Sequence, residues 1–139
     1  MFLLDTNVIS ELRSGKPHQS AAVRSWAQEQ PVQQLYLSSI TVLELEMGVL
    51  RMERKDRSQG KILRGWFDAL FQQFEGQVLP FAAETALCCA VLHVPDVKSM
   101  RDSMIAATAL QHSLTLVTRN VVDFKAMNVK LVNPWEAQA

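Results

Sequence analysis

The chain opens with a short apolar run that ends at a carboxylate. Segment 2–4 is fully apolar, Asp5 follows it directly, and Thr6 and Asn7 come next. A buried strand that ends in Asp places a charge at the carboxyl edge of a sheet, where open α/β folds hold their binding sites. The same residues also suit a helix start, with Asp5 as the N-cap.

Strand-like and helix-like patterns alternate along the remaining sequence. The patterns predict strands at 1–4, 35–37, 78–79, 114–117 and 129–132, and helices at 5–13, 20–30, 38–54, 82–94 and 102–112. A charged break, RMERKDRSQG, separates the third helix from a further one that begins near Leu63. This alternation predicts one α/β domain over residues 1–139, with a mostly parallel central sheet flanked by helices.

Composition narrows the class of protein. Apolar residues make up 48% and charged residues 20% of the chain, as is ordinary for a folded domain. The formal net charge is zero, so any attraction to nucleic acid must be local. The N-terminus lacks the pattern of a signal peptide, and the apolar window 40–50 is interrupted by two glutamates and is too short to span a bilayer. We therefore expect a cytosolic protein with no membrane association.

Three further carboxylates accompany Asp5, and each has an ordinary structural explanation. Glu44 fits a capping box with Thr41, whereas Asp102 and Asp123 suit the first turn of a helix. Glu46 competes with Glu44, because two residues along a helix turn a side chain by roughly 200°. Periodicity alone does not choose between the two glutamates.

The four acids nevertheless occupy comparable positions in the predicted elements. In a right-handed parallel α/β fold, carboxyl ends of strands and N-terminal ends of helices meet at one edge, so we expect the acids to converge there. Clustered carboxylates are tolerable around a hard divalent cation, and oxygen ligands favour Mg²⁺ or Mn²⁺ over zinc. Such a site suits phosphodiester cleavage by an activated water. The supporting polar residues that could orient the acids or hold waters are Thr6, Asn7, Ser38, Thr118 and Asn120.

Two other features allow more than one interpretation. Segment 51–64 carries six cations against two anions, and it is either a solvated helix end or an RNA-contacting rim that includes Arg54, Lys55 and Arg57. The aromatic residues that follow at helical spacing are first of all a core-facing stripe. Part of that stripe could instead line a groove for a partner helix or a dimer contact: Trp66, Phe67, Phe71 and Phe74.

Four segments of the chain resemble a known family in combination and in order. They are LLDTNVISEL, LSSITVLELEMGV, RDSMIAATALQHSLTLVTRN and the final NPW. Together they resemble PIN-domain ribonucleases and, more narrowly, the VapC-type toxins of type II toxin–antitoxin pairs, nearest the FitB-like branch. The resemblance extends from Met1 to Trp135.

The resemblance implies a PIN-like three-layer fold and a set of site residues. The first acid falls on Asp5, the second on Glu44 through the pattern TVxEL, and the third on Asp102 through DxxIAATA. Many relatives carry Asp where this chain has Asn120, and others carry Asn there with an acid three residues later, as Asp123 is here. Both assignments of the fourth ligand therefore stay open, and with them the choice between one and two metals.

The resemblance also implies an activity and partners. It implies an Mg²⁺- or Mn²⁺-dependent RNA endonuclease of the bacterial cytoplasm, and a homodimer. A DNA-binding, VapB-like antitoxin would inhibit it by inserting a segment near the acids.

Two alternatives come from other functional classes. An aspartyl phosphatase would use Asp5 as its nucleophile, but such enzymes want a second Asp where Asn7 stands here. A catalytically silent PIN-like module would only bind RNA or a partner. The four acids disfavour that module, whereas the departure at Asn120 leaves it open.

Overall fold

The computed structural model describes residues 1–13 and 15–136. Its five strands are β1 (Phe2–Leu4), β2 (Leu35–Ser38), β3 (Val78–Leu79), β4 (Thr115–Val117) and β5 (Leu131–Val132). The α-helices are α1 (Thr6–Glu11), α2 (Ala21–Gln28), α3 (Ser39–Lys55), α4 (Arg57–Gln73), α5 (Ala83–Leu92), α6 (Met100–Gln111) and α7 (Val121–Phe124). Short 3-10 turns lie at Val32–Gln34 and Lys125–Met127.

All the strand pairs of the sheet are parallel, which confirms and sharpens the predicted class. The strand order is β3-β2-β1-β4-β5. From β1 the chain first builds outward through β2 and β3, and it then returns to place β4 against the other side of β1. This reversal makes the carboxyl ends of β1 and β4 a topological switch point, the usual place for a site in an open α/β sheet.

The sheet is covered on both faces, as in the predicted three-layer fold. Neighbouring residues of β1 point to opposite sides: Leu4 joins the core beneath α1–α4, and Leu3 joins the core beneath α6 and α7. Burial on both faces explains why the central strands are continuously apolar rather than alternating. No helix in the described part of the chain is both long and apolar enough to cross a membrane.

The junction between α3 and α4 corrects the predicted charged break. Helix α3 runs to Lys55 and α4 begins at Arg57, so Asp56 alone separates them and its side chain accepts the amide of Gln59. The two helices pack so closely that a Cβ on Gly60 would lie 2.4 Å from the Cα of Glu53. The polar sequence suggested a loop, but tertiary packing of the two helices overrides that local signal.

Candidate active site

Asp5 sits at the switch point, as the sequence predicted. Its amide donates to the carbonyl of Val117 (2.9 Å), which locks the end of β1 to the end of β4. Its Oδ1 accepts the amide of Thr6 (2.8 Å), and its Oδ2 accepts the hydroxyl of Thr118 (2.8 Å). The residue is only 6% exposed. Asp5 is thus the N-cap of α1 and also a buried carboxylate, so the two explanations weighed for it both apply.

Glu44 lies beside Asp5, and Glu46 does not. Glu44 Oε1 accepts the hydroxyl of Thr6 at 2.6 Å, so Thr6 bridges the two acids. Glu46 instead forms a two-pronged ion pair with Arg64 of α4. Glu44 forms no capping box with Thr41, because the hydroxyl of Ser38 caps α3 by accepting the amide of Ile40.

Asp102 and Asp123 approach the site from the other side of β1. Asp102 lies in the first turn of α6, and Asp123 lies in the short helix α7 that follows β4. Helix α7 agrees with the ordinary explanation of Asp123 as a first-turn acid, although four residues carry too little periodicity to predict the bounds of this helix. Asn120 occupies the N-cap position of α7, but its side chain makes no capping hydrogen bond.

The acids influence one another's ionisation. Burial raises the pKa of Asp5 to about 6, and the charges of Glu44 and Asp102 add to that rise against the opposing hydrogen bonds from Thr118 and Thr6. The pKa of Asp102 is also raised, chiefly by burial and then by repulsion from Asp123 and Glu44. Each of the four acids therefore lies within the electrostatic field of at least one other.

The donor chemistry suits a hard cation. All four acids supply oxygen, and their mutual repulsion would fall if a divalent ion lay among them. Across residues 1–13 and 15–136, no three His, Cys, Asp or Glu side chains are already drawn together tightly enough to hold an ion. The acids thus form an electrostatic cluster whose side chains would have to move closer together to coordinate an ion.

The predicted supporting residues divide into two groups. Thr6 and Thr118 bond directly to the acids, and Asn7 Nδ2 reaches both Asp5 Oδ2 and Thr118 Oγ1 at 3.5 Å. Ser38 caps α3, and the amide of Asn120 donates to Thr118 Oγ1. These two therefore act on the backbone, one holding the start of α3 and the other the turn after β4.

A hydrogen-bonded network that the sequence did not reveal anchors the start of α6. The amide of Lys98 donates to His93 Nδ1 (3.1 Å), so the neutral ring carries its proton on Nε2, 2.8 Å from Ser103 Oγ. Ser103 is fully buried and donates to the carbonyl of Met100 (2.7 Å). His93 gave no signal of this network in the sequence, since its partners come from a loop and a neighbouring helix.

A groove runs from the acids along α3. It encloses about 260 Å³, with an apolar floor and two cations at its margin. Gly48 opens it, because nothing lies within 4 Å of where its Cβ would stand. Its lining residues are Thr6, Ser10, Arg13, Lys16, Glu44, Leu45, Gly48, Val49, Leu63 and Trp66.

The aromatic stripe of α4 faces the core only in part, and its role in a partner or dimer contact stays a prediction. Phe67 and Phe74 are buried in the core, and Trp66 lies in the wall of the groove. Phe71 is exposed at the surface.

The predicted basic rim lies away from the acids. Arg54, Lys55 and Arg57 are exposed around the junction of α3 and α4. Arg54 comes ten residues after Glu44 in a continuous helix, which places it ~15 Å along the helix axis. Arg64, by contrast, is paired with Glu46 and Glu53 and contributes little free positive charge.

Comparison with known proteins finds similar sequences and folds over nearly the whole chain. The family model described as PIN domain matches residues 2–130. The VapC ribonuclease Y4jK of Sinorhizobium fredii is 35% identical across 98% of this chain and 99% of its own, and the toxin FitB of Neisseria gonorrhoeae is 36% identical across 97% and 99%. Among solved structures, FitAB bound to an IR36 DNA fragment superposes with a TM-score of 0.89 at 33% identity, covering 100% of this chain and 99% of that one.

Proposed function

The chain belongs to the PIN-domain family, and from that premise we propose that it is a ribonuclease toxin of a toxin–antitoxin pair that cleaves RNA with Mg²⁺ or Mn²⁺. Relatives at about this identity are named as a VapC ribonuclease and as a toxin. We propose that it acts on RNA in the bacterial cytoplasm.

One observation carries the proposal. Asp5 is a buried carboxylate at the switch point of the sheet, and its pKa is raised by burial and by two neighbouring acids. A structural cap would be better placed at the surface, where ionisation is not penalised. A perturbed acid in a cleft is typical of a functional site.

We assign the cation to Asp5, Glu44 and Asp102, with Asp123 as the fourth acid. When bound, the ion would neutralise phosphate charge and activate a water for attack on the phosphodiester. Thr118 and the amide of Thr6 fix the two oxygens of Asp5, and the hydroxyl of Thr6 orients Glu44. We favour Asp123 over Asn120 because the charge of Asp123 acts on Asp102.

Two glutamates of the same helix give a matched test. Purified wild type, Glu44→Gln, Asp102→Asn and Glu46→Gln are incubated with a defined RNA in Mg²⁺, in Mn²⁺ and in EDTA. We expect Glu44→Gln and Asp102→Asn to lose cleavage by at least about a hundredfold, on the scale of one transition-state interaction. Glu46→Gln should stay within a few-fold of wild type, because Glu46 pairs with Arg64, away from the acids.

The fourth acid has its own pair of variants. Asp123→Asn should reduce Mn²⁺ affinity and cleavage, whereas Asn120→Ala should reduce neither by more than a few-fold. The reverse result would move the fourth ligand to Asn120. Cleavage that persists in EDTA would refute the metal mechanism, and a folded wild type that binds RNA without cutting it would favour the silent module. Trapping of an aspartyl-phosphate on Asp5 would favour the phosphatase.

We also propose that the groove beside the acids receives the antitoxin. Its apolar lining of Leu45, Val49 and Trp66 suits the apolar face of a helix, and Arg13 and Lys16 suit acidic residues at its edge. The solved relatives include FitAB and VapBC complexes bound to DNA. Because Glu44 lies at one end of this groove, a segment bound there would cover the site and block RNA.

Gly48 tests the groove without touching the acids. Gly48→Ala should raise helix stability by up to about 1 kcal/mol and yet weaken antitoxin binding, since its methyl group enters the groove. Gly65→Ala is the control, because Gly65 is also a helical glycine with free space around its Cβ. Equal antitoxin affinity of the two variants, measured by calorimetry, would place the antitoxin elsewhere.

We further propose a homodimer that buries the apolar surface of α5 and the loop after it. This surface consists of exposed side chains at 71–83% exposure: Leu87, Val91, Val94 and Val97. Apolar patches of this kind on soluble domains commonly mark protein contacts. Val91→Glu should shift the mass measured by light scattering to that of a monomer, whereas Ile62→Glu on α4 should not. A wild-type protein that is already monomeric would contradict the proposal.

A further inference from the structure

Arg101 is a cation placed among the acids. Its Nη1 lies 3.4 Å from Glu44 Oε2, its side chain is 50% exposed, and it directly precedes Asp102. It also stands in the first turn of α6, where the helix dipole disfavours positive charge. The helix dipole therefore does not explain an arginine at this position, whereas attraction to the neighbouring acids does.

The other cations near the site have different surroundings: Lys16 pairs with Glu11, and Arg13 lies beside it at the margin of the groove. Arg64 pairs with Glu46 and Glu53, and the guanidinium of Arg119 stacks over the ring of Trp135 at 5.2 Å. Over residues 1–13 and 15–136, Arg101 is the cation that forms an ion pair with one of the four acids.

The ion pair with Arg101 occupies one of the two carboxylate oxygens of Glu44. Glu44 Oε1 accepts the hydroxyl of Thr6, and Glu44 Oε2 faces Arg101, so both carboxylate oxygens are engaged. A divalent cation that recruits Glu44 has to compete with this guanidinium. Once displaced, the guanidinium stays tethered to a rigid helix beside Asp102, half exposed at the mouth of the site. Its planar fork of donors matches the geometry of a phosphate group.

We propose that Arg101 exchanges between two anions: the carboxylate of Glu44 in the metal-free protein and the RNA phosphate at the site in the working enzyme. The second half rests on the proposed ribonuclease function, and the first half does not. Arg101 thereby opposes metal binding and favours substrate binding. No covalent step is involved, because only the ion-pair partner of the guanidinium changes.

The two roles predict effects of opposite sign. Arg101→Ala should bind Mn²⁺ about two- to fivefold more tightly by calorimetry without RNA, as expected for loss of an exposed competing ion pair. The same variant should cleave RNA at least about tenfold less efficiently at saturating Mn²⁺, with the loss mainly in KM. Arg101→Lys should keep part of the substrate affinity, because it retains the charge and loses the fork.

The signs distinguish this exchange from a structural role. A merely structural Arg101 would, when replaced, weaken Mn²⁺ binding and cleavage together. Arg64→Gln is the control, since it breaks an ion pair away from the acids and should change neither quantity by more than twofold. Unchanged or weaker Mn²⁺ binding by Arg101→Ala, or cleavage equal to wild type, would overturn the proposal. A wild type that binds Mn²⁺ but cuts no RNA would instead refute the ribonuclease function and the second half with it, and Mn²⁺ binding by Arg101→Ala would still decide the first half.

Discussion

Replacing Asp5 with Asn should make the metal-free protein more stable at neutral pH. Burial and the neighbouring acids raise the pKa of Asp5 from 3.8 to about 6, so ionising it in the fold is penalised. At about 1.4 kcal/mol for each pH unit, the penalty at pH 7 is about 3 kcal/mol. Asn removes the charge at nearly constant shape, and it can keep the bond from the amide of Thr6. Loss of the full-strength bond from Thr118 would offset part of the gain.

The pH dependence gives the sharper form of this prediction. Because the folded-state pKa of Asp5 is raised, its stabilising effect is complete below pH 3.8 and is lost as the pH rises to about 6. The free energy of unfolding of Asp5→Asn minus that of wild type should therefore grow by up to about 3 kcal/mol between pH 4 and pH 7. Urea denaturation in EDTA measures it.

Divalent cations should reverse the order of the two proteins. Saturating Mn²⁺ should stabilise wild type by mass action and leave Asp5→Asn almost unchanged. Parallel pH profiles of the two proteins in EDTA would refute the reasoning, because Asp5 would then carry no penalised charge. Thr118→Val serves as the control. Removing the hydroxyl should raise the pKa of Asp5 further, so the stability of this variant should fall more steeply with pH than that of wild type.

Two further predictions concern the helical hairpin of α3 and α4. Gly60→Ala should destabilise the fold by about 1–3 kcal/mol, because its Cβ would meet the backbone of Glu53, whereas Gly65→Ala should be neutral or stabilising; thermal unfolding compares them. Replacing the three cations of the rim with Ala should lower the slope of log affinity against log salt for single-stranded RNA by up to about 2, and an equal slope would exclude phosphate contacts there. The rim residues are Arg54, Lys55 and Arg57.

The sequence predicted the sheet well because its central strands are short, apolar and bounded by turn residues. Two parts of the fold are poorly signalled by it. The charged residues of the α3–α4 junction indicate a longer break, whereas the hairpin closes through Gly60 against Glu53. Helix α7 is indicated only by Asp123 as a first-turn acid, because it is a single turn whose Phe124 is fully buried in the core. Both depend on contacts between distant segments, which local patterns do not encode.

Some features of the site could likewise be predicted from the sequence, and others could not. Glu44 and Glu46 could not be separated by periodicity, because both lie in the same amphipathic helix. The family resemblance selects Glu44, and the contacts with Thr6 and Arg64 show how the two glutamates differ in the fold. The bond from Thr118 to Asp5 joins residues 113 positions apart and follows from the pairing of β1 with β4. Arg101 gave no signal, because a single cation beside an acid is ordinary in any soluble sequence.

The arrangement of charge explains how a chain of zero net charge could act on RNA. Four acids repel one another in a half-buried cleft, Arg101 pairs with one of them, and the free cations of the rim stand ~15 Å away along α3. RNA approaching the metal-free protein would therefore meet repulsion at the acids and attraction at the margin of the groove and at the rim. Neutralisation of the acids by a divalent ion would remove that repulsion and free Arg101 together. We therefore expect RNA affinity itself, and not only cleavage, to rise with Mn²⁺, measured by anisotropy with a non-cleavable RNA analogue. An affinity that EDTA leaves unchanged would contradict this coupling.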